Sequence, residues 1–263
     1  MFTENEACSA FKGDIVGREI IFFESTVSTM DTAIGIGRER DNPDGIVVIA
    51  DTQTGGKGRL GRRWISPPGV NLYFTVLFKP PFLPKEASII TLMAAVAVAR
   101  AVREYAGLNA RIKWPNDIMI NGKKMGGILT EMKTDGGRIS ILGVGIGINV
   151  NMTRNMMDSE IEALATSVEI EKGEAVDRTD LFRNILAELE KYYKILLNGD
   201  KGALINEWLS LNSTIGRRVK VQNQDKVMTG IAEGISEKGE LVLILSSGEK
   251  KIISAGDVTI LKK

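Results

Sequence analysis

Residues 143–149 read Gly-Val-Gly-Ile-Gly-Ile-Asn, and this alternation restricts the fold more than any other stretch of the chain. With the period of two that belongs to a β-strand, Gly143, Gly145 and Gly147 share one face, and Val144, Ile146 and Ile148 share the other. The second face suits a core. The first leaves bare backbone, which the close approach of a ligand or of a packed helix requires, and the pattern alone does not choose between the two. It is not a dinucleotide fingerprint, because the sixth position is Ile148. Asn149 falls at the strand end, where a ligand could be met.

The neighbouring segments supply a sheet for this strand. RIKW, DIMI and KMGGILTEMK precede it, with Asn121-Gly122 joining the second to the third and Asp135-Gly136-Gly137 joining the third to the glycine strand. Both connections are short and rich in residues that tolerate positive φ, so an antiparallel arrangement is expected. REIIFFE and GIVVIA flank a segment that opens on Ser28 and Thr29, two potential N-caps, and read as strand, helix, strand. NLYFTVLFKP is a strand with Leu72, Phe74, Val76 and Phe78 on one face. A long helix follows, started by Pro84, Lys85 and Glu86 and ended by Gly107. Residues 158–212 are helical in pattern, and Glu190 with Lys194 is expected on a wet face. From Gly216 the period returns to two in five short strands, which could close into a small barrel and hide their edges. A boundary near Thr214 divides the chain into 1–213 and 214–263.

Composition excludes several chemistries. The chain of 263 residues contains no histidine, which removes Ser-His-Asp and Cys-His catalysis, His-ligated zinc and imidazole proton transfer. The lone Cys8 rules out an intrachain disulfide framework and fits a reducing cytoplasm. Lys and Arg number 34 against 33 acidic residues, a net charge of +1, so any cationic site is local and no nucleic-acid or membrane surface is indicated. The N-terminus lacks the pattern of a signal peptide, and the longest apolar run, TLMAAVAVARAV, is too short to span a bilayer.

Local charge is concentrated in GGKGRLGRRW, residues 55–64. The spacing from Gly56 to Gly61 is that of a P-loop, but Arg62-Arg63 stands where Lys-Ser/Thr is needed, so that reading fails. Glycines that turn amides toward a phosphate, with Lys57, Arg59, Arg62 and Arg63 around them, would make an anion clamp; they would equally make a solvated basic loop. In KWPNDIMINGKKMGGIL, Lys113 and Trp114 end a strand, Pro115 stops it, and Asn116-Asp117 offers oxygens in a turn. The Asn121-Gly122 turn returns Lys123 or Lys124 toward Asp117. Such a pair suits a cleft that faces an acyl carbonyl, and it suits a surface ion pair as well.

Taken together, these segments resemble the biotin protein ligases over residues from about 18 to the end. The glycine-arginine loop, KWPND, KKMGGIL and GIGIN stand in the family's order and spacing, preceded by STMD and by Gln53. The resemblance implies an α+β fold of the class II synthetase and biotin/lipoyl ligase type, with a mixed, largely antiparallel sheet, helices and a small SH3-like C-terminal barrel. It implies that biotin and MgATP give biotinyl-5′-AMP, and that a lysine of a biotin carboxyl carrier protein then takes the biotin. Ser28, Thr29, Gln53, Gly56, Lys57, Gly58, Arg59, Lys124 and Gly127 correspond to contacts of biotin or the adenylate. Arg62, Trp64, Lys113, Asn116 and Asn149 correspond to the nucleotide side, with Lys124, Arg59 and Asp117 nearest the chemistry. Mg²⁺ would be held mainly through ATP. The family often forms homodimers by pairing sheets edge to edge.

Three positions depart from the family. Met30 replaces an asparagine, Lys57 replaces an arginine whose fork a point charge cannot reproduce, and Leu261 or Lys262 stands where repressor-type members have an arginine. That last change argues against an adenine contact from the small barrel. Only about 20 residues precede the first strand, so a ligase without operator binding is expected. The alternatives are a lipoate or octanoate ligase, whose His-Asp pair this chain cannot supply, and a non-catalytic biotin sensor.

Overall fold

The computed structural model describes residues 3–223 and 226–261. The chain runs through α1 (Glu4–Ser9), β1 (Glu19–Thr26), α2 (Thr29–Arg38), β2 (Ile46–Gln53), β3 (Leu72–Phe78), α3 (Ser88–Ala106), β4 (Arg111–Lys113), β5 (Asp117–Ile120), β6 (Lys123–Asp135) and β7 (Arg138–Ile148). Four helices follow: α4 (Ser159–Leu164), α5 (Val168–Lys172), α6 (Arg178–Leu197) and α7 (Lys201–Leu211). The last strands are β8 (Arg218–Asn223), β9 (Lys226–Ile235), β10 (Leu241–Leu245), β11 (Lys250–Ile253) and β12 (Asp257–Ile260).

Seven strands form one sheet in the order β1-β2-β3-β7-β6-β5-β4. Only β1 with β2 is parallel. That pair is joined through α2, because parallel neighbours need a crossover. The other neighbours are antiparallel. The β5–β6 turn has Asn121 at φ 49° and Gly122 at φ 80°, and the β6–β7 turn has Gly136 and Gly137 at 53° and 75°. Two consecutive positive φ values are what a tight two-residue hairpin requires, so these residue types fix both registers.

The sheet is covered on both faces. Val47, Ile49, Leu72, Phe74, Val76 and Phe78 point into the larger core, which α3, α6 and α7 close. Ile46, Val48 and Leu77 point the other way, onto Met30, Ala33 and Ile34 of α2. The glycine strand obeys the same rule. Val144, Ile146 and Ile148 lie in the larger core, while Gly143, Gly145 and Gly147 pair with Leu77, Thr75 and Tyr73 on the α2 side.

That glycine face is occupied by side chains. A Cβ on Gly143 would lie 2.6 Å from the Met30 sulfur, one on Gly145 would lie 3.1 Å from its methyl, and one on Gly147 would lie 2.6 Å from the Trp64 ring. Close packing of α2 therefore accounts for Gly143, while Gly145 and Gly147, next to Met30 and the indole of Trp64, also border the cavity described below. The departure at Met30 has a physical use: an apolar side chain 2% exposed fills space that the missing Cβ atoms create.

Two expectations need correction. The five C-terminal strands form a sheet in the order β11-β10-β9-β8-β12 and not a closed barrel, since no pairing joins β11 to β12 among the described residues. The free edges are tolerated because β11 is short and carries exposed Lys250 and Lys251, which discourage further pairing, while β12 faces the basic loop described below. Gln224-Asp225, which the sequence offers as the turn between the first two of these strands, lies outside the described residues. Glu190 does not sit on a wet face. It is 8% exposed and accepts the backbone N–H groups of Asp14, Ile15 and Val16, with the bond from Val16 at 2.7 Å. Lys194, 2.8 Å from it, is the solvated partner.

Glu190 thus satisfies three donors of an irregular segment that has no sheet to bind them. Glu190→Gln halves the acceptor capacity and removes the charge, so a loss of about 1–3 kcal/mol of unfolding free energy is expected in denaturant titration. A loss below about 0.5 kcal/mol would show that the segment is held by other contacts.

Candidate functional site

The site lies on the glycine face, at the end of the sheet where β2, β5, β6 and β7 meet the start of α2. A cavity of about 390 Å³ opens there, within the range of small-molecule sites, about 300–1,000 Å³. Its wall includes Ser28, Thr29, Gln53, Lys57, Gly58, Arg59, Arg62, Trp64, Lys113, Asn116, Asp117, Lys124 and Gly127. Thirteen of the fifteen residues singled out from sequence are brought together.

At the closed end a chain of hydrogen bonds fixes polar atoms in place. The hydroxyl of buried Thr75 donates to Thr29 Oγ1 at 3.0 Å. The Thr29 backbone N–H donates to Gln53 Oε1 at 2.9 Å, and Gln53 Nε2 donates to Ser66 Oγ at 2.9 Å. The amide of Gln53 is therefore held one way round. Ser28 occupies the N-cap position of α2 but caps no backbone N–H with its side chain.

The middle of the cavity is electrostatic. Asp117 receives Lys124 at 2.6 Å and Lys113 at 2.8 Å, both joined to it through the β4–β5–β6 hairpins. Burial alone would raise the Asp117 pKa, but the two ammonium groups outweigh it and hold the carboxyl below its usual range. Lys124 also lies 5.4 Å above the Trp64 ring. The indole N–H of Trp64 is buried without a hydrogen-bond partner among the described residues. Of the two lysines left open by the sequence, Lys124 is the one in the cavity. Lys123 donates instead to the Glu162 carbonyl.

The basic loop forms the cavity's lid. It is folded on itself by Gly58 N–H to Arg62 O and Trp64 N–H to Gly56 O. Arg59 donates to Asn116 Oδ1 at 2.7 Å and to the Gly256 carbonyl at 3.0 Å. Burial depresses its pKa even though Asp257 opposes the effect. Asn116 is itself positioned by donating to Ile128 O at 2.8 Å. Lys57 pairs with Asp31 of α2 at 2.6 Å.

Two residues fall elsewhere. Asn149 is buried outside the cavity: its side chain donates to Thr166 O, and its backbone binds Met125 and Val168. A strand that ends beside a neighbouring loop spends its polar terminus on that loop. Gly56 lies behind the lid, where a Cβ would meet the Trp64 carbonyl at 2.5 Å. Sequence reasoning missed Thr75, Ser66 and Asp257. Thr75 could have been found from the strand pattern, since it is the polar residue between Phe74 and Val76 on the face opposite theirs. Asp257, with Val258 and Thr259, reaches the cavity from β12, so the C-terminal sheet does approach it despite the missing arginine. Lys262 lies outside the described residues.

Comparison with known proteins matches this arrangement. Residues 22–151 match the biotin/lipoate A/B protein ligase family, and residues 214–261 match the biotin protein ligase C-terminal domain. The bifunctional ligase/repressor BirA of Bacillus subtilis is 36% identical over 96% of this chain and 78% of its own length. The chain belongs to the biotin protein ligase family. A family member from Paracoccus denitrificans, named as the biotin ligase for acetyl-CoA carboxylase, is 34% identical over 80% of this chain and 88% of its own. The Aquifex aeolicus ligase in complex with biotin and ATP superposes with a TM-score of 0.79, 29% identity, 96% of this chain and all of that one.

The lowered pKa of Asp117 gives the site a pH signature. Its contribution to folding is complete above the unfolded value of about 3.9 and is lost as pH falls through the lower folded value. Asp117→Asn should therefore be less stable than the parent at pH 7, with the gap narrowing between about pH 4 and pH 2. Thermal unfolding at several pH values measures this, and a gap independent of pH would remove the ion pairs as its cause.

Proposed function

We propose that this chain activates biotin with ATP to biotinyl-5′-AMP and transfers it to a lysine of a biotin carboxyl carrier domain. The observation that carries this reading is the juxtaposition of Lys124, on Asp117, with the arginine-bearing lid over one cavity. The match of residues 214–261 to a biotin ligase C-terminal domain favours biotin over lipoate.

In the first step a biotin carboxylate oxygen attacks the α-phosphorus of ATP. An acyl–phosphate bond forms, the bond to pyrophosphate breaks, and no proton has to move. The requirement is to hold two anions in line and to stabilise the charge that develops, which fixed cations do without a general base. Thr29, Gln53 and Ser28 suit the polar head of biotin at the closed end. Lys124 suits the carboxylate, and Arg59 and Arg62 suit the phosphates, with Lys57, Gly58 and Gly56 shaping the lid and Gly127 of β6 leaving room beside Lys124. Trp64, Lys113 and Asn116 border the nucleotide side. Asn149 acts from behind the wall by ordering the 166–168 loop.

In the second step the neutral amine of the carrier lysine attacks the acyl carbonyl, an amide forms, the acyl–phosphate bond breaks, AMP leaves and the surplus proton of the amine passes to water. Lys124 polarises that carbonyl. Asp117, with its basicity lowered by two lysines, serves to hold them in place and is a poor proton acceptor. Mg²⁺ does not fit a protein cage here. Asp117 is spent on lysines, and no group of three or more acidic or cysteine side chains gathers among the described residues. Mg²⁺ would be held by the triphosphate, whose charge it would screen.

The sequence units 1–213 and 214–263 are read as a catalytic unit and an accessory sheet that lends Asp257 to the site. Operator binding is not part of the proposed function. A specific mobility shift of biotin-operon DNA, steeply weakened by salt, would contradict this.

ATP-dependent labelling of a biotin carrier domain should be competed by biotin and not by lipoate. Lys124→Ala should retain measurable biotin binding but form adenylate about 10²–10³-fold more slowly, the usual cost of one oxyanion-stabilising group. Incorporation of lipoate, or unchanged turnover in the variant, would overturn the assignment.

A further inference from the structure

The lid has a hollow on each side. One is the cavity above; the other, about 530 Å³, lies between Gly55–Arg63 and the β6 residues Leu129 and Glu131. A loop so little packed is positioned mainly by its polar ties. Lys57 is tied to Asp31 at the base. The crest is tied to the C-terminal sheet: Arg62 donates to the Asp257 carboxylate, Arg59 lies 3.7 Å from the same group, and Arg59 also donates to the Gly256 carbonyl. One carboxylate, 195 positions away in sequence, thus faces both crest arginines.

Asp257 also lines the cavity itself. Its side chain is 22% exposed and that of Arg62 67% exposed, so the pair is reachable by solvent and weak enough for a phosphate to displace. The other cavity carboxylate, Asp117, is already engaged by Lys113 and Lys124 and is not the arginines' main partner.

We infer that Asp257 is a positioning residue that stands in for the ligand anion, holding Arg59 and Arg62 over the ligand-free cavity and yielding them when a phosphate-bearing ligand arrives. The identity of that ligand rests on the ligase reading; the tie does not. Asp257 has two opposed effects. It competes with the incoming anion, which weakens binding, and it keeps the lid ordered, which spares the ligand part of the entropy of ordering it. An amide at this position keeps the shape and removes the charge.

The test uses the full chain with inorganic pyrophosphate as probe, in calorimetric titration and limited trypsin digestion, since the lid itself supplies the cleavage sites. Asp257→Asn should bind pyrophosphate about two- to fivefold more tightly, the range for relieving a partly exposed ion pair. Its ligand-free lid should be cut several-fold faster, and saturating pyrophosphate should restore the parent's resistance. Asp257→Glu should behave as the parent does. Arg62→Gln breaks the tie from the loop side at an exposed residue, where folding is safe, and should show the same faster cutting. Pyrophosphate binding no tighter in Asp257→Asn, or lid cleavage unchanged in both Asp257→Asn and Arg62→Gln, overturns the proposal. Neither readout uses biotin or a carrier, so loss of ligation and failure of this inference are separable.

Discussion

Strand β7 has to satisfy two environments at once, and the remainder of the fold is arranged around that demand. One face supplies Val144, Ile146 and Ile148 to the core beneath α3. The opposite face carries no side chains at Gly143, Gly145 and Gly147, which lets Met30 and Trp64 lie directly on the backbone. Met30 brings α2 close, so Ser28 and Thr29 reach the cavity. Trp64 fixes the far end of the basic loop. A methyl group at Gly147 would run into the Trp64 ring, and one at Gly143 or Gly145 would displace the end of the Met30 side chain.

The charged centre depends on the same geometry at one remove. Tight hairpins between β4, β5 and β6 set Lys113 and Lys124 on either side of Asp117, and the three side chains are within ion-pair distance without any long loop having to close. Because the charges arrive on strands, their positions cost little conformational entropy compared with side chains on mobile segments. The lid is the opposite case: its four cations are carried on glycine-rich backbone and take their places from partners on other elements.

Much of this was legible in the sequence where the signal is local. Strand and turn chemistry gave the hairpins around Asn121-Gly122 and Gly136-Gly137, and thirteen of the residues singled out beforehand line the cavity. What was illegible depends on long-range partners. Glu190 resembles half of a helical surface pair until the segment at Asp14–Val16 folds over it. Asn149 stands at a strand end, as a ligand contact would, yet Thr166 claims it. Asp257 sits in a turn-like Ala-Gly-Asp sequence that says nothing of two arginines some 200 residues earlier. Whether the five C-terminal strands close was likewise not decided by their alternation, because closure depends on which edges meet.

The contact between Trp114 and the C-terminal sheet bears on how the molecule comes apart. The Trp114 indole donates to Gly239 O at 3.0 Å, its backbone N–H binds Thr214, and Ser88 reaches Lys238 O. Val219, Val221, Leu241 and Val258 belong to the same apolar cluster as α3. The division near residue 214 is therefore a seam in the sequence and not in the energy: peeling the last fifty residues away would strand a buried indole N–H and uncover a core wall. Both parts should lose structure in one cooperative step, and a fragment ending at the seam would start life with an aggregation-prone face just behind the turn that carries Asn116 and Asp117.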